Sequence, residues 1–158
     1  GFKCVAFKKK NGKKVQWGVG KTSQCDPFGL VRALRKPRRD ILYVTEGEFD
    51  AMALDHCLKS VQSMTSLTGF QTISLTHGGG SIVQNFKTIE KELNEFKKIA
   101  LVLDNDEVGN SSAEKAIKMN IHPNIVLVDK PEGCKDANDA VLMGKTREMG
   151  KLAYSAYE

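Results

Sequence analysis

The sequence predicts an α/β fold, in which helices flank a parallel sheet and a small basic β-hairpin comes first. Two short, mostly apolar runs, 41–45 and 99–103, are typical of strands buried on both faces. Segments with helical periodicity follow these runs, and strands that alternate with helices form right-handed βαβ units around a parallel sheet. Both runs also end abruptly in acidic residues, which places carboxylates at the carboxyl edge of that sheet, where ligands bind in open α/β folds.

The first forty residues predict the hairpin and carry most of the positive charge. Runs 2–7 and 14–19 have strand character, and the Asn11-Gly12 pair between them is a strong hairpin signal. Residues 1–39 hold twelve Lys or Arg and one acid, a net charge of +11, whereas residues 40–158 hold twelve basic and eighteen acidic groups, a net charge of −6. The first segment therefore suits a polyanion, and the remainder suits a cation.

Two interpretations of this basic segment stay open. In the first, the hairpin is a solvated, lysine-rich turn with Trp17 in the core. In the second, it is a platform for nucleic-acid phosphates with an exposed ring for stacking. On the second interpretation the candidate DNA-binding residues are Lys8, Lys9, Lys10, Lys13, Lys14, Trp17, Arg35, Arg38 and Arg39.

The other elements alternate along the chain. The pattern predicts helices at 27–34, 49–58, 81–96 and 111–119 and a short one ending at 143, with further strands at 61–67, 72–75 and 125–128. We expect a basic subdomain at 1–40, an α/β domain at 41–143 and a helical segment at 144–158. The chain begins with Gly1, so we expect it to be a piece of a longer protein. No apolar run is long enough to span a membrane, and the sequence has no Cys-x-x-Cys pair of the kind that binds zinc. These two observations favour an intracellular protein with reduced thiols.

Acidic residues follow three of the predicted strands. Glu46 follows the first, Asp104 and Asp106 follow the central one, and Asp136 follows the last. Because the carboxyl ends of parallel strands share one edge, these groups are expected to converge. Like charges oppose one another's ionisation, so such a cluster needs a cation, and an all-oxygen donor set favours Mg²⁺ or Mn²⁺ over zinc. Two such ions can catalyse phosphoryl transfer. For the Asp104–Asp106 segment taken alone, a surface turn stays open.

The segments 44–51, 104–109 and 135–139 read VTEGEFDA, DNDEVG and KDAND. Together, and in this order, they resemble the motifs of the TOPRIM domain, the Rossmann-like fold shared by topoisomerases and primases. The resemblance covers about residues 41–143. It is closest to the primase half of phage bifunctional primase–helicases and their Twinkle-type relatives. Asn138 stands where bacterial primases usually have an aspartate.

The resemblance implies DNA-directed synthesis of RNA primers from nucleoside triphosphates, on a single-stranded DNA template and with two divalent ions, Mg²⁺ or Mn²⁺. It implies that Glu46 is a general acid–base or metal ligand and that Asp104, Asp106 and Asp136 bind metal. It also suggests Lys135 and His77 as nucleotide-binding residues. A helicase and a zinc-binding module are expected outside this chain. The expected compartment is the cytoplasm or nucleoid (of the host, for a phage) or the mitochondrial matrix.

Two other functions stay open at this stage. One is a TOPRIM nuclease or topoisomerase fragment, although Tyr43, Tyr154 and Tyr157 have no partner motif that would mark a nucleophile. The other is a non-catalytic module that binds single-stranded DNA. Cleavage of DNA without nucleotides would favour the first, and salt-sensitive, metal-independent binding would favour the second.

Overall fold

Two sheets organise the part of the chain that the structure describes. The structure is a computed structural model that describes residues 2–5, 15–21, 25–62 and 70–158. Strands β1 (Phe2–Val5) and β2 (Gln16–Val19) pair antiparallel, with Cys4 opposite Trp17. The strand pairing of the predicted hairpin is therefore confirmed. Its predicted turn, with Lys8, Lys9, Lys10, Lys13 and Lys14, lies outside the described residues.

The second sheet is four-stranded and entirely parallel. Its strands are β3 (Ile41–Thr45), β4 (Phe70–Ser74), β5 (Lys98–Val102) and β6 (Ile125–Leu127), in the spatial order β4-β3-β5-β6. In the register, Ile41 of β3 lies between Phe70 of β4 and Lys98 of β5. Every residue of β3 is buried, as the apolar run predicts for a central strand. The predicted parallel α/β sheet is confirmed.

Helices cover both faces of this sheet. They are α1 (Leu30–Leu34), α2 (Glu48–Gln62), α3 (Ile82–Thr88), α4 (Glu90–Leu93), α5 (Glu107–Lys118), α6 (Ala137–Leu142) and α7 (Thr146–Ser155), with a 3₁₀ turn at Gly79–Ser81. Helices α1, α3, α4 and α5 pack on one face, and α2, α6 and α7 pack on the other. Within the described ranges, no helix has both the length and the apolar character needed to cross a membrane.

The alternation of side chains along the strands divides the core in two. Leu42 and Val44 of β3 face the α1, α3 and α5 layer, whereas Ile41 and Tyr43 face the α2 and α7 layer. The buried hydroxyl of Tyr43 donates to the carbonyl oxygen of Ala153 at 2.8 Å and so fixes α7 to the sheet.

Two predicted elements are wrong in part. The strand predicted at 61–67 fails at Val61 and Gln62, which end α2, while residues 63–69 lie outside the description. Val61 is buried three residues after Leu58, so its apolar side chain belongs to the helical stripe. The helix predicted through residue 96 is divided at Ile89, where φ is −113° and ψ is 26°. The consecutive β-branched residues Thr88 and Ile89 disfavour helix at that point.

The segment before β3 contributes to the core of the parallel sheet. Leu30 and Ala33 of α1 are buried beside it, and the backbone N–H of Ser74 donates to the carbonyl oxygen of Phe28 at 3.1 Å. Residues 28–34 therefore close the β4 edge. The division at residue 40, and the other predicted domain boundaries, stay predictions.

Candidate metal centre at the carboxyl edge

The strand order creates a crevice between the carboxyl ends of β3 and β5. β4 lies beside β3 on one side and β5 lies beside it on the other, so the chain crosses over β3 between β4 and β5. Helix α2 follows β3 on one face of the sheet, and α5 follows β5 on the opposite face. Neighbouring strands whose connections diverge in this way bind ligands at their carboxyl ends. Glu46 follows β3 and Asp104 follows β5, so both lie at this crevice.

Glu46 connects the loops that follow three strands. Its Oε2 accepts a hydrogen bond from the backbone N–H of Gly79 at 2.9 Å, and its Oε1 accepts one from the N–H of Asp104 at 3.1 Å. A Cβ at Gly79 would lie 2.7 Å from the Glu46 carboxyl group, so any other residue there would displace that carboxyl group. Burial raises the pKa of Glu46, the charges of Asp104 and Asp106 add to that effect, and the two N–H donors oppose it.

Three aspartates lie close enough to share one ion. Asp50, Asp104 and Asp136 each offer a carboxylate oxygen, and these atoms lie within 4.8 Å of one another. All three side chains are half-buried. Asp50 is not among the site residues predicted from the sequence. Its position in the first turn of α2, four residues after Glu46 and inside the first motif, was the available signal.

Two of the predicted acids also begin helices. Oδ1 of Asp106 accepts from the N–H of Gly109 at 2.9 Å at the start of α5, and Oδ1 of Asp136 accepts from the N–H of Asp139 at 2.7 Å at the start of α6. The Gly109 N–H bond and the Lys135 ammonium hold the pKa of Asp106 below its ordinary value. Burial raises the pKa of Asp136, and the nearby carboxylates add to that effect. The caps therefore fix both carboxylates at the edge.

Two lysines balance the carboxylates. Nζ of Lys135 lies 2.8 Å from Oδ2 of Asp104 and 3.2 Å from Oδ2 of Asp106, and these bonds raise the pKa of Lys135. Lys130, which the sequence analysis missed, is partly buried and donates to the carbonyl oxygen of Leu103 at 2.7 Å. Burial lowers the pKa of Lys130, while the charges of surrounding carboxylates oppose the change. Its position just after β6 was the only signal in the sequence.

The donor set fits a hard divalent cation. Among the residues that the structure describes, Asp50, Asp104 and Asp136 form the one group of acidic, histidine or cysteine side chains close enough to hold an ion. Every donor is a carboxylate oxygen, as Mg²⁺ and Mn²⁺ prefer. The Lys135 ammonium at Asp104 is an internal stand-in for such a cation. Glu46 is adjacent to this group but not a member of it.

The structure does not bring the predicted arginines to this edge. Arg38 and Arg39 precede β3 and so lie at the amino edge, the opposite end of the strands. Arg38 pairs with Asp40 at 3.0 Å, and Arg39 pairs with Glu95 and donates to the carbonyl oxygen of Leu34. Arg35 follows α1 and is exposed.

His77 and Trp17 are both solvent-accessible. His77 is exposed in the loop after β4, on the carboxyl side of the sheet. Trp17 is 51% exposed, so the interpretation that buried it in the core is wrong. Its exposed ring leaves the nucleic-acid interpretation in place as a prediction. The five lysines of the hairpin turn lie outside the described residues.

Two solved structures from bacteriophage T7 share this architecture. The primase fragment of the T7 primase-helicase protein superposes with a TM-score of 0.68 at 25% identity, over 91% of this chain and 54% of that chain. A structure of T7 lagging-strand DNA polymerase with primase domains of two gp4 subunits, bound to an RNA/DNA hybrid and dTTP, gives a TM-score of 0.66 at 26% identity, over 92% of this chain and 66% of that chain. This chain therefore spans about half to two thirds of the length of its structural relatives.

Comparison by sequence points to the same family. No curated protein sequence matches significantly. The family model described as Toprim-like, however, matches residues 43–141, which run from the middle of β3 through most of α6 and include all the acids of the crevice. On this match, the chain belongs to the Toprim-like family.

Proposed function

We propose that this chain is the Toprim-type catalytic part of a primase, which joins nucleoside triphosphates into a short RNA primer on a single-stranded DNA template. The observation that carries the proposal is the convergence of Glu46, Asp50, Asp104 and Asp136 on one crevice from separate parts of the chain. The T7 relatives support it, because one is a primase fragment and the other holds an RNA/DNA hybrid and dTTP.

In this proposal the aspartates hold the metal. Asp50, Asp104 and Asp136 are assigned to one divalent ion, and Asp106, which shares the Lys135 ammonium with Asp104, is assigned with Asp104 to a second. Held by these residues, two divalent ions, Mg²⁺ or Mn²⁺, would supply Lewis-acid activation of the attacking hydroxyl and would neutralise charge on the triphosphate. The caps at Asp106 and Asp136 limit the motion of these carboxylates before any ion binds.

Glu46 is assigned the proton transfer. Each carboxylate oxygen can accept two hydrogen bonds, and each Glu46 oxygen accepts one from a backbone N–H, that of Gly79 or that of Asp104. The remaining lone pairs can accept the proton of the attacking primer hydroxyl. Burial raises the pKa of Glu46, which makes its carboxylate a stronger base than an exposed one.

The basic amino-terminal segment is assigned to the template. Its lysines supply phosphate contacts, and the exposed Trp17 ring offers a surface for base stacking. His77 and Lys135, on the carboxyl side of the sheet, are assigned to the incoming nucleotide. A helicase and a zinc-binding module are the expected partners in the complete protein, which acts where DNA replicates.

Template-dependent dinucleotide synthesis tests this function. The wild-type chain is incubated with single-stranded DNA, nucleoside triphosphates and Mn²⁺, beside Asp104→Ala and Asp50→Asn. Because a catalytic metal ion contributes several kcal/mol of transition-state stabilisation, both variants should lose most activity. Glu114→Gln is the matched control, since Glu114 is 70% exposed and pairs with Lys118 on the surface of α5. Equal activity of Asp104→Ala and wild type would overturn the assignment.

Control reactions separate the two alternatives. Cleavage of the DNA when nucleotides are omitted would indicate a nuclease or topoisomerase. As a nucleophile, Tyr43 is unsuitable because it is fully buried and bonded to Ala153. Tyr157 lies near the amino edge, where its carbonyl oxygen accepts from Lys98 at 3.2 Å. Metal-independent binding of single-stranded DNA without synthesis would indicate a non-catalytic module.

A further inference from the structure

Lys135 has a hydrogen-bonded backbone and a partly exposed head group. Its carbonyl oxygen accepts from the N–H of Asn105 at 2.8 Å, and its own N–H donates to Oδ2 of Asp139 at 3.2 Å. Its side chain is 51% exposed, and the ammonium group reaches back to Asp104 and Asp106. The side chain can therefore leave the carboxylates by rotation about its own bonds while the loop stays in place.

The ammonium group and a divalent ion compete for the same carboxylate. Nζ lies 2.8 Å from Oδ2 of Asp104, and Asp104 is a member of the three-aspartate group. An ion bound to the carboxylate of Asp104 would lie close to an ammonium group that contacts the same carboxylate, and two like charges repel each other. Binding of the ion is thus expected to displace the Lys135 head group.

Lys130 behaves differently. Its ammonium is partly buried and bonded at 2.7 Å to the carbonyl oxygen of Leu103, an oxygen that is not a member of the aspartate group. It therefore contributes a fixed positive charge, whereas Lys135 contributes one that can move.

We propose that Lys135 is an exchangeable counter-cation, which pairs with Asp104 and Asp106 until a divalent ion replaces it and then contacts the phosphates of the bound nucleotide. The inference rests on the proposed function, since it takes the aspartate group as the metal site. In this role Lys135 lowers the affinity for free metal and raises the affinity for nucleotide. Metal and nucleotide then favour each other's binding through one side chain.

Manganese binding without nucleotide tests the first half. In Lys135→Met the competing ammonium is absent, so Mn²⁺ titrated by electron paramagnetic resonance should bind up to about fivefold more tightly than in wild type. Lys118→Met is the matched control: it removes the same charge from a surface pair with Glu114, 3.3 Å apart and 77% and 70% exposed. Its Mn²⁺ affinity should equal that of wild type. Circular dichroism verifies that each variant is folded.

Binding of ATP to the Mn²⁺-saturated protein tests the second half. Lys135→Met should bind ATP about tenfold more weakly, because one phosphate contact is lost. A purely structural ion pair would not produce tighter Mn²⁺ binding together with weaker ATP binding. If Mn²⁺ binds wild type but Lys135→Met binds it no more tightly, the inference is overturned and the proposed metal site survives. If Mn²⁺ binds wild type and Asp104→Ala equally, or binds neither, the metal site fails and the inference fails with it.

Discussion

A methyl group on Gly79 tests the position of Glu46 without changing any charge. A Cβ at Gly79 would lie 2.7 Å from Cδ and both oxygens of the Glu46 carboxyl group. The side chain of Glu46 can withdraw, but it then loses its hydrogen bonds from the N–H groups of Gly79 and Asp104. Gly79→Ala therefore moves the carboxylate away from the crevice.

The cost is set by those two bonds. Hydrogen bonds to charged groups contribute about 1.5–3 kcal/mol each, and water around this half-buried carboxylate recovers part of that. We expect Gly79→Ala to lower the free energy of unfolding by about 1–3 kcal/mol, or the melting temperature by about 2–12 °C for a chain of this size. If Glu46 accepts the proton, primer synthesis should fall by about 10²-fold or more.

Gly80→Ala is the matched control. It lies in the same 3₁₀ turn, and a Cβ there would meet nothing within 4 Å. Thermal unfolding and dinucleotide synthesis are measured on both variants beside wild type. If Gly79→Ala and Gly80→Ala prove alike in both assays, the Glu46 contacts do not have the importance that we assign to them.

Two further predictions concern pH and helix packing. Burial raises the pKa of Asp136 above its ordinary value of 3.8, so the folded chain binds a proton at Asp136 more tightly than the unfolded chain does. The contribution of Asp136 to the free energy of unfolding therefore falls as the pH rises above 3.8. Asp136→Asn keeps a good helix cap. Its free energy of unfolding in urea should decline less between pH 4 and pH 7 than that of wild type. The same change with pH in both proteins would contradict this prediction. Gly150→Ala would place a Cβ 2.3 Å from the carbonyl oxygen of Cys57, and should cost about 1–3 kcal/mol by urea unfolding. Lys151 is exposed, so the control Lys151→Ala should change the free energy of unfolding by less than about 0.5 kcal/mol. Equal effects of Gly150→Ala and Lys151→Ala would show that α2 and α7 are not closely packed.

The sequence was informative where one local rule decides the outcome. Strand β3 was predicted to the residue, because an apolar run bounded by a charged segment and by Glu46-Gly47 has few alternatives. The gathering of Glu46, Asp104 and Asp136 at one edge could also be expected, because parallel strands direct their carboxyl ends the same way.

Contacts that depend on loops or on the rotation of a helix could not be predicted in this way. Asp50 joins the aspartate group only because α2 begins at Glu48 and turns that residue toward the crevice. The bond from Gly79 to Glu46 spans 33 residues, so no local pattern indicates it. The partners of Lys135 depend likewise on how two loops meet.

Charge counts show that a basic segment exists but not where its members lie. Arg38 and Arg39 belong to the strongly positive first part of the chain, yet the direction of β3 puts them at the amino edge, where they pair with Asp40 and Glu95. Alternation along β2 predicts the face of the sheet on which Trp17 lies, but in a two-stranded sheet it does not predict whether that face is covered.

The central claim is that acids from separate parts of the chain share divalent ions at the carboxyl edge of the sheet. It is tested most directly by crystals of this protein soaked in Mn²⁺ and a nucleoside triphosphate, with diffraction recorded at the manganese absorption edge. We expect an anomalous peak bonded to Asp104 and to at least one of Asp50 and Asp136, in contact with the phosphates. Bound triphosphate with no anomalous peak at these aspartates would contradict it.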